Sequence, residues 1–154
     1  MSVPDNTNSP KRPAAAMEPE GRLLHQSEFA IRWGDMDAMG HVNNIMYFRY
    51  FEQVRLEWYD QVVSAPLAST SEGMVIVDNH AEYLKPIVYP AFVKAKMYGH
   101  TPGRSSFVST YFLTVDDVLY TRGSSKIVWI DMAIGKSMPL PQLIRAQLET
   151  DDIP

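Results

Sequence analysis

The stretch from Ile31 to Trp58 decides the fold, and it reads IRWGDMDAMGHVNNIMYFRYFEQVRLEW. Its first half holds two aspartates, two glycines, a histidine and two asparagines, and its second half is a long apolar and aromatic run with paired charges. Gly34 to Gly40 has the composition of a loop and no usable periodicity. Asn43 or Asn44 then suits a helix N-cap, because an asparagine side chain can accept a hydrogen bond from a free backbone N–H. The stretch therefore predicts a loop followed by a helix whose N-terminus points at that loop.

The helix after this loop is expected to be enclosed on most sides. Between Ile45 and Tyr59, apolar side chains occupy nearly every position around the helix axis, whereas a surface helix carries a single apolar face. Arg49 lies three residues before Glu52, and Glu52 lies three residues before Arg55, so these charges are spaced to pair. We expect Glu52 and Arg55 to form a structural ion pair. A helix of this kind needs a surface that wraps around it.

Strands on both sides of the helix supply that surface. Leu23 to Trp33 alternates by two, with Phe29, Ile31 and Trp33 on a core-facing side. After the helix, four runs rich in Val, Ile, Tyr, Phe and Thr are separated by short turns, which predicts an antiparallel sheet. These runs are residues 74–84, 91–100, 106–116 and 119–132. The predicted fold class is α+β, a curved antiparallel sheet of five to six strands wrapped around one long central helix.

Both ends of the chain are expected to lie outside this domain. Residues 1–22 are rich in proline and polar residues and too poor in apolar ones to offset their ordering entropy, so we predict a disordered tail. A single domain is predicted over residues 23–148, ending in a short helix between Pro139 and Leu148 with Leu140, Leu143, Ile144 and Leu148 on one side. Residues 149–154 are expected to fray.

Composition excludes several classes of function. A formal net charge of -4 offers no general attraction to nucleic acid, so no nucleic-acid partner is predicted. The chain contains no cysteine, which excludes disulfides and thiolate metal sites and suits the reducing cytoplasm, the predicted location. Its apolar runs fall short of the ~20 residues that span a bilayer, so no membrane partner is predicted. Edge strands of the sheet would invite pairing with a second copy, so we expect at least a dimer.

The loop and the start of the helix resemble the signature of a known family. The segment from Arg32 to Tyr47, RWGDMDAMGHVNNIMY, is similar to that of the hot-dog-fold acyl-CoA thioesterases of the 4-hydroxybenzoyl-CoA thioesterase family. The family pattern continues at Tyr50, Glu52, Arg55 and Trp58. The resemblance implies a homodimer or homotetramer with active sites between protomers. It also implies hydrolysis of an acyl-CoA thioester with no metal or redox cofactor.

The resemblance further implies roles for individual residues. Asp37 matches the family's catalytic carboxylate, which acts either as nucleophile or as general base on water. Asn44 matches the position whose backbone N–H polarises the thioester carbonyl. The GRSSF segment, Gly103 to Phe107, resembles the start of the strand at which family members hold the CoA phosphates. The candidates in that segment are Arg104, Ser105 and Ser106.

The remaining motif residues are candidates for contact with the substrate. His41 either orders the loop or touches the substrate, and it ranks below Asp37 as a catalytic group. Tyr47 is expected to line an acyl pocket, with Gly40 and Asn43 as further substrate-binding residues. Asp35 is expected to serve the turn as a structural or capping residue. The two aspartates and His41 show no recognised metal spacing, so no metal site is predicted.

The residue types agree with thioester hydrolysis independently of the resemblance. A helix N-terminus offers free N–H groups and the positive end of a dipole to a developing oxyanion. The leaving thiolate comes from a thiol whose pKa resembles the ~8.5 of cysteine, so it departs without a strong general acid. This chemistry fits a site with one carboxylate, an N–H donor and no acid partner.

Two other functions remain open at this stage. A hot-dog domain can bind acyl-CoA without turnover, because a fold does not fix a function. The thioester could also be carried by an acyl-carrier protein instead of CoA. Methionine and aromatic residues predict an apolar acyl pocket but leave the acyl chain undefined. A dehydratase or hydratase would need a different arrangement of His and Asp from that in this motif.

Overall fold

The computed structural model describes residues 19–63 and 70–149, and these ranges contain two helices, a 3₁₀ turn and six strands. In chain order the elements are β1 (Arg22–Ala30), the 3₁₀ turn (Trp33–Asp35), α1 (Met46–Val62), β2 (Glu72–Tyr83), β3 (Phe92–His100), β4 (Ser106–Val115), β5 (Val118–Asp131), β6 (Lys136–Ser137) and α2 (Gln142–Leu148). The predicted N-terminal tail lies mostly outside the described residues, as do residues 150–154 of the predicted C-terminal fray.

The six strands form one antiparallel sheet. Its order is β1–β3–β4–β5–β2, and the two-residue strand β6 pairs with β5. Strands β3, β4 and β5 are neighbours in sequence and in space, whereas β1 and β2, which flank α1 along the chain, lie at opposite sides of the sheet. This arrangement confirms the predicted α+β hot-dog fold with one long central helix.

Helix α1 packs one broad face on the sheet. Its buried residues recur at three- and four-residue intervals, so the helix is less fully enclosed than the sequence predicts. They are Tyr47, Tyr50, Phe51, Val54, Arg55, Trp58 and Tyr59. Phe51 stacks on Tyr111 of β4 with ring centroids 4.6 Å apart. Gly123 of β5 lies directly beneath the Phe51 ring, where a Cβ atom would collide with it, so the glycine lets the helix approach the sheet.

Strand β1 ends earlier than the alternation predicts. Ile31 is buried as expected, but Trp33 is 73% exposed and does not lie on the core face. The chain leaves the sheet because the Asp35 carboxylate accepts the Arg32 N–H at 3.0 Å and the Asp35 N–H is donated to the Arg32 carbonyl at 3.0 Å. This local turn overrides the period-two pattern.

The charges of α1 pair only in part as predicted. Arg49 and Glu52 form the expected ion pair at 2.9 Å. The expected pair between Glu52 and Arg55 is wrong, since the Arg55 guanidinium is buried and donates to the Tyr111 hydroxyl at 2.9 Å. Arg55 lies on the sheet-facing side of the helix, where the partner comes from β4 instead of from the same helix.

The C-terminal helix closes one end of the sheet. Leu140, Ile144 and Leu148 are buried, whereas Leu143 is 52% exposed, so Leu143 does not share the packed side predicted for it. Within the described ranges, neither helix is both long and apolar enough to cross a bilayer. The cytoplasmic location stays a prediction.

Candidate active site

The loop from Met36 to Val42 is a small closed turn. Met36 and Val42 form an isolated antiparallel bridge across its base. Inside it, the Asp37 N–H is donated to the His41 carbonyl at 3.0 Å and the Gly40 N–H to the Asp37 carbonyl at 3.0 Å. Gly40 has a φ of 84°, which residues with side chains adopt at a cost. The loop therefore holds Asp37 and His41 in fixed positions.

The Asp37 carboxylate is held by one of its two oxygens. Oδ1 accepts the Met39 N–H at 2.8 Å, in a local turn typical of aspartate. The described part of the chain donates no hydrogen bond to Oδ2, and the side chain is half-buried. One carboxylate oxygen is thus oriented but available to a water or a substrate.

Asp35, two residues earlier, is buried and accepts two hydrogen bonds from the protein through one carboxylate oxygen. Its Oδ2 accepts the Arg32 N–H at 3.0 Å and the Tyr50 hydroxyl at 2.7 Å, and the residue is buried. Its carbonyl accepts the Asn43 N–H at 2.9 Å. Burial, and then the hydrogen bond to Asp35, raise the pKa of Tyr50, so its hydroxyl stays a donor. Asp35 ties the loop to α1, in line with the structural role expected for it.

Asn43 closes the turn that leads into α1. Its Oδ1 accepts the Ile45 N–H at 3.1 Å and its carbonyl accepts the Met46 N–H at 2.9 Å. Neither asparagine is the N-cap of α1: that position is Ile45, which makes no side-chain cap hydrogen bond, so the predicted asparagine cap is wrong. Asn43 instead stabilises the turn just before the helix. The Asn44 N–H belongs to the same planar peptide group as the Asn43 carbonyl and points in the opposite direction, away from the helix. No acceptor for this N–H lies within residues 19–63 or 70–149.

A pocket of about 360 Å³ lies between this loop, the start of α1 and the end of β2. Four predicted site residues line it together: Asp37, His41, Asn44 and Tyr47. The rest of its lining is mostly apolar and consists of Met39, Val42, Tyr83, Leu84, Lys85 and Pro86. Gly40 and Asn43 shape the loop and the helix start without lining the pocket.

The residues from Tyr83 to Pro86 were missed by the sequence interpretation. The Tyr83 hydroxyl donates to the Asn44 carbonyl at 2.9 Å, and its ring packs edge-on against Tyr47 at 4.9 Å. Lys85 is the only lysine or arginine among the described residues that line the pocket. The sequence predicts that a strand ends at these residues. It does not predict that this strand end lies beside the helix start, because that depends on the order of strands in the sheet.

Tyr47 forms the inner wall of the pocket. It is 2% exposed, and burial raises the pKa of its hydroxyl because the phenolate would lose hydration. The ring therefore presents a neutral surface at the base of the site, as an apolar acyl group requires.

The segment from Gly103 to Phe107 lies at the other end of the sheet. Ser106 pairs with Val128, whereas Tyr83 pairs with Thr121 of the same strand β5. Seven residues of β5 at ~3.4 Å each separate the two levels by roughly 24 Å. Within one protomer, Arg104, Ser105 and Ser106 therefore do not join the pocket.

This distant segment is held by the C-terminal part of the chain. The Arg145 guanidinium donates to the Gly103 carbonyl at 2.7 Å, and the Leu140 N–H to the Arg104 carbonyl at 2.8 Å. These contacts give the segment a structural role in the protomer.

A metal centre finds no support in the part of the chain that the structure describes. Histidine, aspartate and glutamate side chains nowhere gather there in groups of three that could hold an ion. Hydrolysis without a cofactor stays a prediction.

Comparison with known proteins places residues 31–148 within the thioesterase-like superfamily. A Pseudomonas aeruginosa protein, an inferred thioesterase, is 39% identical, covers 81% of this chain and 98% of its own, and superposes with a TM-score of 0.77. An inferred acyl-CoA thioesterase from Xanthomonas campestris is 30% identical over 71% of this chain and 95% of its own, with a TM-score of 0.65.

A third similar structure contains ligands. It is a thioesterase from Thermus thermophilus complexed with coenzyme A and zinc, 25% identical over 83% of this chain and 99% of its own, with a TM-score of 0.73. These matches agree with the predicted thioesterase fold. They do not single out the 4-hydroxybenzoyl-CoA thioesterase branch, which stays a prediction.

Proposed function

Since the chain belongs to the thioesterase-like superfamily, we propose that it hydrolyses the thioester bond of an acyl-CoA to a free acid and CoA. One observation carries the proposal: Asp37 and Asn44 line the same pocket, and within residues 19–63 and 70–149 the Asp37 Oδ2 has no donor and the Asn44 N–H has no acceptor. The Xanthomonas and Thermus relatives support acyl-CoA as the substrate class, since one is named an acyl-CoA thioesterase and the other was solved with coenzyme A.

The Asn44 N–H is the proposed electrophilic half of the site. A thioester carbonyl oxygen that accepts this hydrogen bond also meets the positive end of the α1 dipole. Charge on that oxygen grows as the carbonyl carbon becomes tetrahedral, so the interaction is stronger in the transition state than in the bound substrate. Oxyanion donors of this kind are worth about 3 kcal/mol.

Asp37 is the proposed nucleophilic half. Its free oxygen either removes a proton from an attacking water or attacks the carbonyl carbon itself to form an acyl anhydride. In both routes the CoA thiolate leaves as the carbonyl reforms, and its low basicity removes the need for an acid partner. In the second route a water then hydrolyses the anhydride, which releases the acid and restores the Asp37 carboxylate. His41 lines the same pocket and is proposed to contact the substrate.

The rest of the pocket suits an apolar acyl group on a charged carrier. Met39, Val42, Leu84 and Pro86 supply apolar surface beside the Tyr47 ring. Lys85 is exposed among these residues, where its ammonium can pair with a phosphate of CoA. In this proposal, Lys85 provides within the protomer the contact with the CoA phosphates for which the family resemblance suggests Arg104.

A homodimer is proposed as the assembly. Strand β2 pairs with β5 on one side, and its residues 77–80 are all exposed, including Val77 at 58%. An exposed edge strand with an apolar side chain invites pairing with a second copy. Such a partner could bring its own Arg104, Ser105 and Ser106 towards the pocket, as the family resemblance implies.

The proposal is tested with a panel of acyl-CoA thioesters that differ in chain length, branching and aromaticity. We expect CoA thiol release by the wild-type chain on at least one ester and a loss of kcat of roughly a hundredfold or more in Asp37→Asn. Asp60→Asn, an exposed carboxylate at the far end of α1, is the matched control and should keep the wild-type rate.

Two results would contradict the proposal, and a third would change the carrier that it names. An Asp37→Asn variant with the full rate would remove the carboxylate from the mechanism. Tight binding of CoA esters with no turnover would instead assign the chain to the non-catalytic acyl-CoA-binding class. If acyl-carrier-protein esters alone are hydrolysed, the carrier named here is wrong.

The role of Asp37 is resolved by a single-turnover reaction. An anhydride between Asp37 and a labelled acyl group, trapped and located by mass spectrometry, would show that Asp37 is the nucleophile. Solvent oxygen found only in the product acid, with no trapped adduct, would show that it acts as the base.

A further inference from the structure

We infer that Tyr83 is a positioning residue that holds the Asn44 peptide groups in the orientation the reaction needs. The inference rests on the proposed thioester hydrolysis, and it assigns a task to a residue that lies outside the sequence motif. Tyr83 is the last residue of β2, and it lines the same pocket as the helix start.

The peptide group before Asn44 is held by the helix start itself. It contains the Asn43 carbonyl, which accepts the Met46 N–H at 2.9 Å. Because the peptide is planar, fixing this carbonyl sets the plane in which the Asn44 N–H lies. The Asn43 N–H is in turn donated to the Asp35 carbonyl at 2.9 Å.

The peptide group after Asn44 is held from two sides. Its N–H, which belongs to Ile45, is donated to the Asn43 side chain at 3.1 Å, and its carbonyl accepts the Tyr83 hydroxyl at 2.9 Å. The first of these contacts lies within the turn and moves with it. The contact from Tyr83 comes from the sheet, so it fixes the turn relative to the end of β2.

The Tyr83 ring reinforces this contact. It packs edge-on against Tyr47 with ring centroids 4.9 Å apart, and Tyr47 is itself buried on α1. Tyr83 therefore braces both the carbonyl at the helix start and the side chain one turn further along. Burial raises the pKa of the Tyr83 hydroxyl, so it remains a hydrogen-bond donor at neutral pH.

This geometry predicts different kinetic effects for loss of the Tyr83 hydroxyl and for loss of the whole ring. The hydroxyl proton is directed at Asn44 and not at the substrate, so its removal loosens the oxyanion donor and lowers kcat with little change in KM. The ring lines the pocket, so its removal also raises KM.

The experiment compares Tyr83→Phe with Tyr89→Phe. Tyr89 has the same exposure of 44% as Tyr83 but is not among the residues that line the pocket. In Tyr83→Phe we expect kcat to fall about three- to tenfold, the loss of one ordinary hydrogen bond, with KM within about twofold. Tyr83→Ala should lower kcat at least as far and raise KM as well. Tyr89→Phe should match the wild type.

A measurement on the free protein gives a readout independent of turnover. In ¹H–¹⁵N spectra, the amide signals of Asn44 and Ile45 should broaden or exchange faster with solvent in Tyr83→Phe, and stay sharp in Tyr89→Phe. A merely structural tyrosine would lower the melting temperature without this local change and without a selective loss of kcat.

The inference is overturned if Tyr83→Phe keeps the wild-type kcat, or if the Asn44 and Ile45 amides are unaffected. This failure is distinct from failure of the proposed function. An active wild type that depends on Asp37 but not on the Tyr83 hydroxyl rejects the positioning role alone, whereas full activity in Asp37→Asn rejects the mechanism on which it rests.

Discussion

Two consecutive turns of the chain each present an aspartate, and the two side chains differ in burial and in their hydrogen-bond donors. In the turn at Trp33–Asp35, one oxygen of the buried Asp35 carboxylate accepts hydrogen bonds from the backbone and from Tyr50. In the loop that follows, Asp37 has one oxygen bound to the Met39 N–H and one left for solvent or substrate. Asp35 is buried with two protein donors, whereas Asp37 is half-buried beside the pocket with one, so we expect the first to act in stability and propose the second for chemistry.

The comparison extends to where each turn points. The Asp35 turn faces α1. Its Asp35 carbonyl accepts the Asn43 N–H and so fixes the position of the residues that lead into the helix. The Asp37 loop faces the pocket and the end of β2. In the proposed mechanism, the first turn positions the oxyanion donor and the second positions the Asp37 carboxylate.

The largest expected effect comes from removing the Asp35 carboxylate. Asp35→Ala should lower the free energy of unfolding by roughly 2–4 kcal/mol, because the Tyr50 hydroxyl and the Arg32 N–H would be left without their acceptor. Urea denaturation followed by fluorescence measures this, with Asp60→Ala as the exposed control. If the free energy of unfolding of Asp35→Ala falls no further than that of Asp60→Ala, Asp35 has no special role in stability and the contrast with Asp37 is wrong.

Removing the Tyr50 hydroxyl, which donates to Asp35, should lower the free energy of unfolding by less. Tyr50→Phe keeps the aromatic ring and deletes the 2.7 Å hydrogen bond, so we expect a loss of roughly 1–2 kcal/mol by the same denaturation measurement. If Tyr50→Phe is neutral, the Asp35 carboxylate is held mainly by the backbone.

The Asp37 loop can be strained at Gly40. Gly40→Ala should destabilise the fold by about 1 kcal/mol, since φ of 84° disfavours a side chain while no neighbouring atom lies close enough to clash. We also expect kcat to fall under conditions in which the variant is still fully folded, because the Gly40 N–H holds the Asp37 carbonyl. Gly135→Ala, also at positive φ but distant along the chain, is the control and should leave kcat unchanged.

The smallest expected effect is a change in KM on removal of the Lys85 charge at the pocket. Lys85→Gln should raise KM for acyl-CoA by roughly threefold, within the range of one solvent-exposed ion pair, and leave kcat unchanged. Salt should raise the wild-type KM towards that of the variant. An unchanged KM at low salt would remove Lys85 from CoA binding.

Much of the fold could be predicted because its signals are local. The apolar run after Asn44 indicated α1, and the alternating runs indicated β2 to β5 within two residues of their observed ends. The alternation predicts the wrong face for Trp33 because it takes no account of the Asp35 carboxylate, two residues later, which turns the backbone by accepting the Arg32 N–H. Arg55 was paired wrongly because its partner, Tyr111, lies on another element.

The site was predictable only where it is continuous in sequence. Asp37, His41 and Asn44 belong to one motif and share one pocket. Tyr83 and Lys85 come from a strand end whose neighbour is fixed by the order of the sheet, and no short-range pattern contains that order.

The central claim is that Asp37 acts in chemistry and Asp35 in stability, and a paired measurement tests it most directly. Asp35→Asn and Asp37→Asn are each compared with wild type for the free energy of unfolding and for kcat on the best thioester. We predict that Asp37→Asn loses roughly a hundredfold or more in kcat with stability within about 0.5 kcal/mol of wild type, and that Asp35→Asn loses mainly stability. An Asp37→Asn variant that keeps its rate, or loses it only by unfolding, would contradict the account.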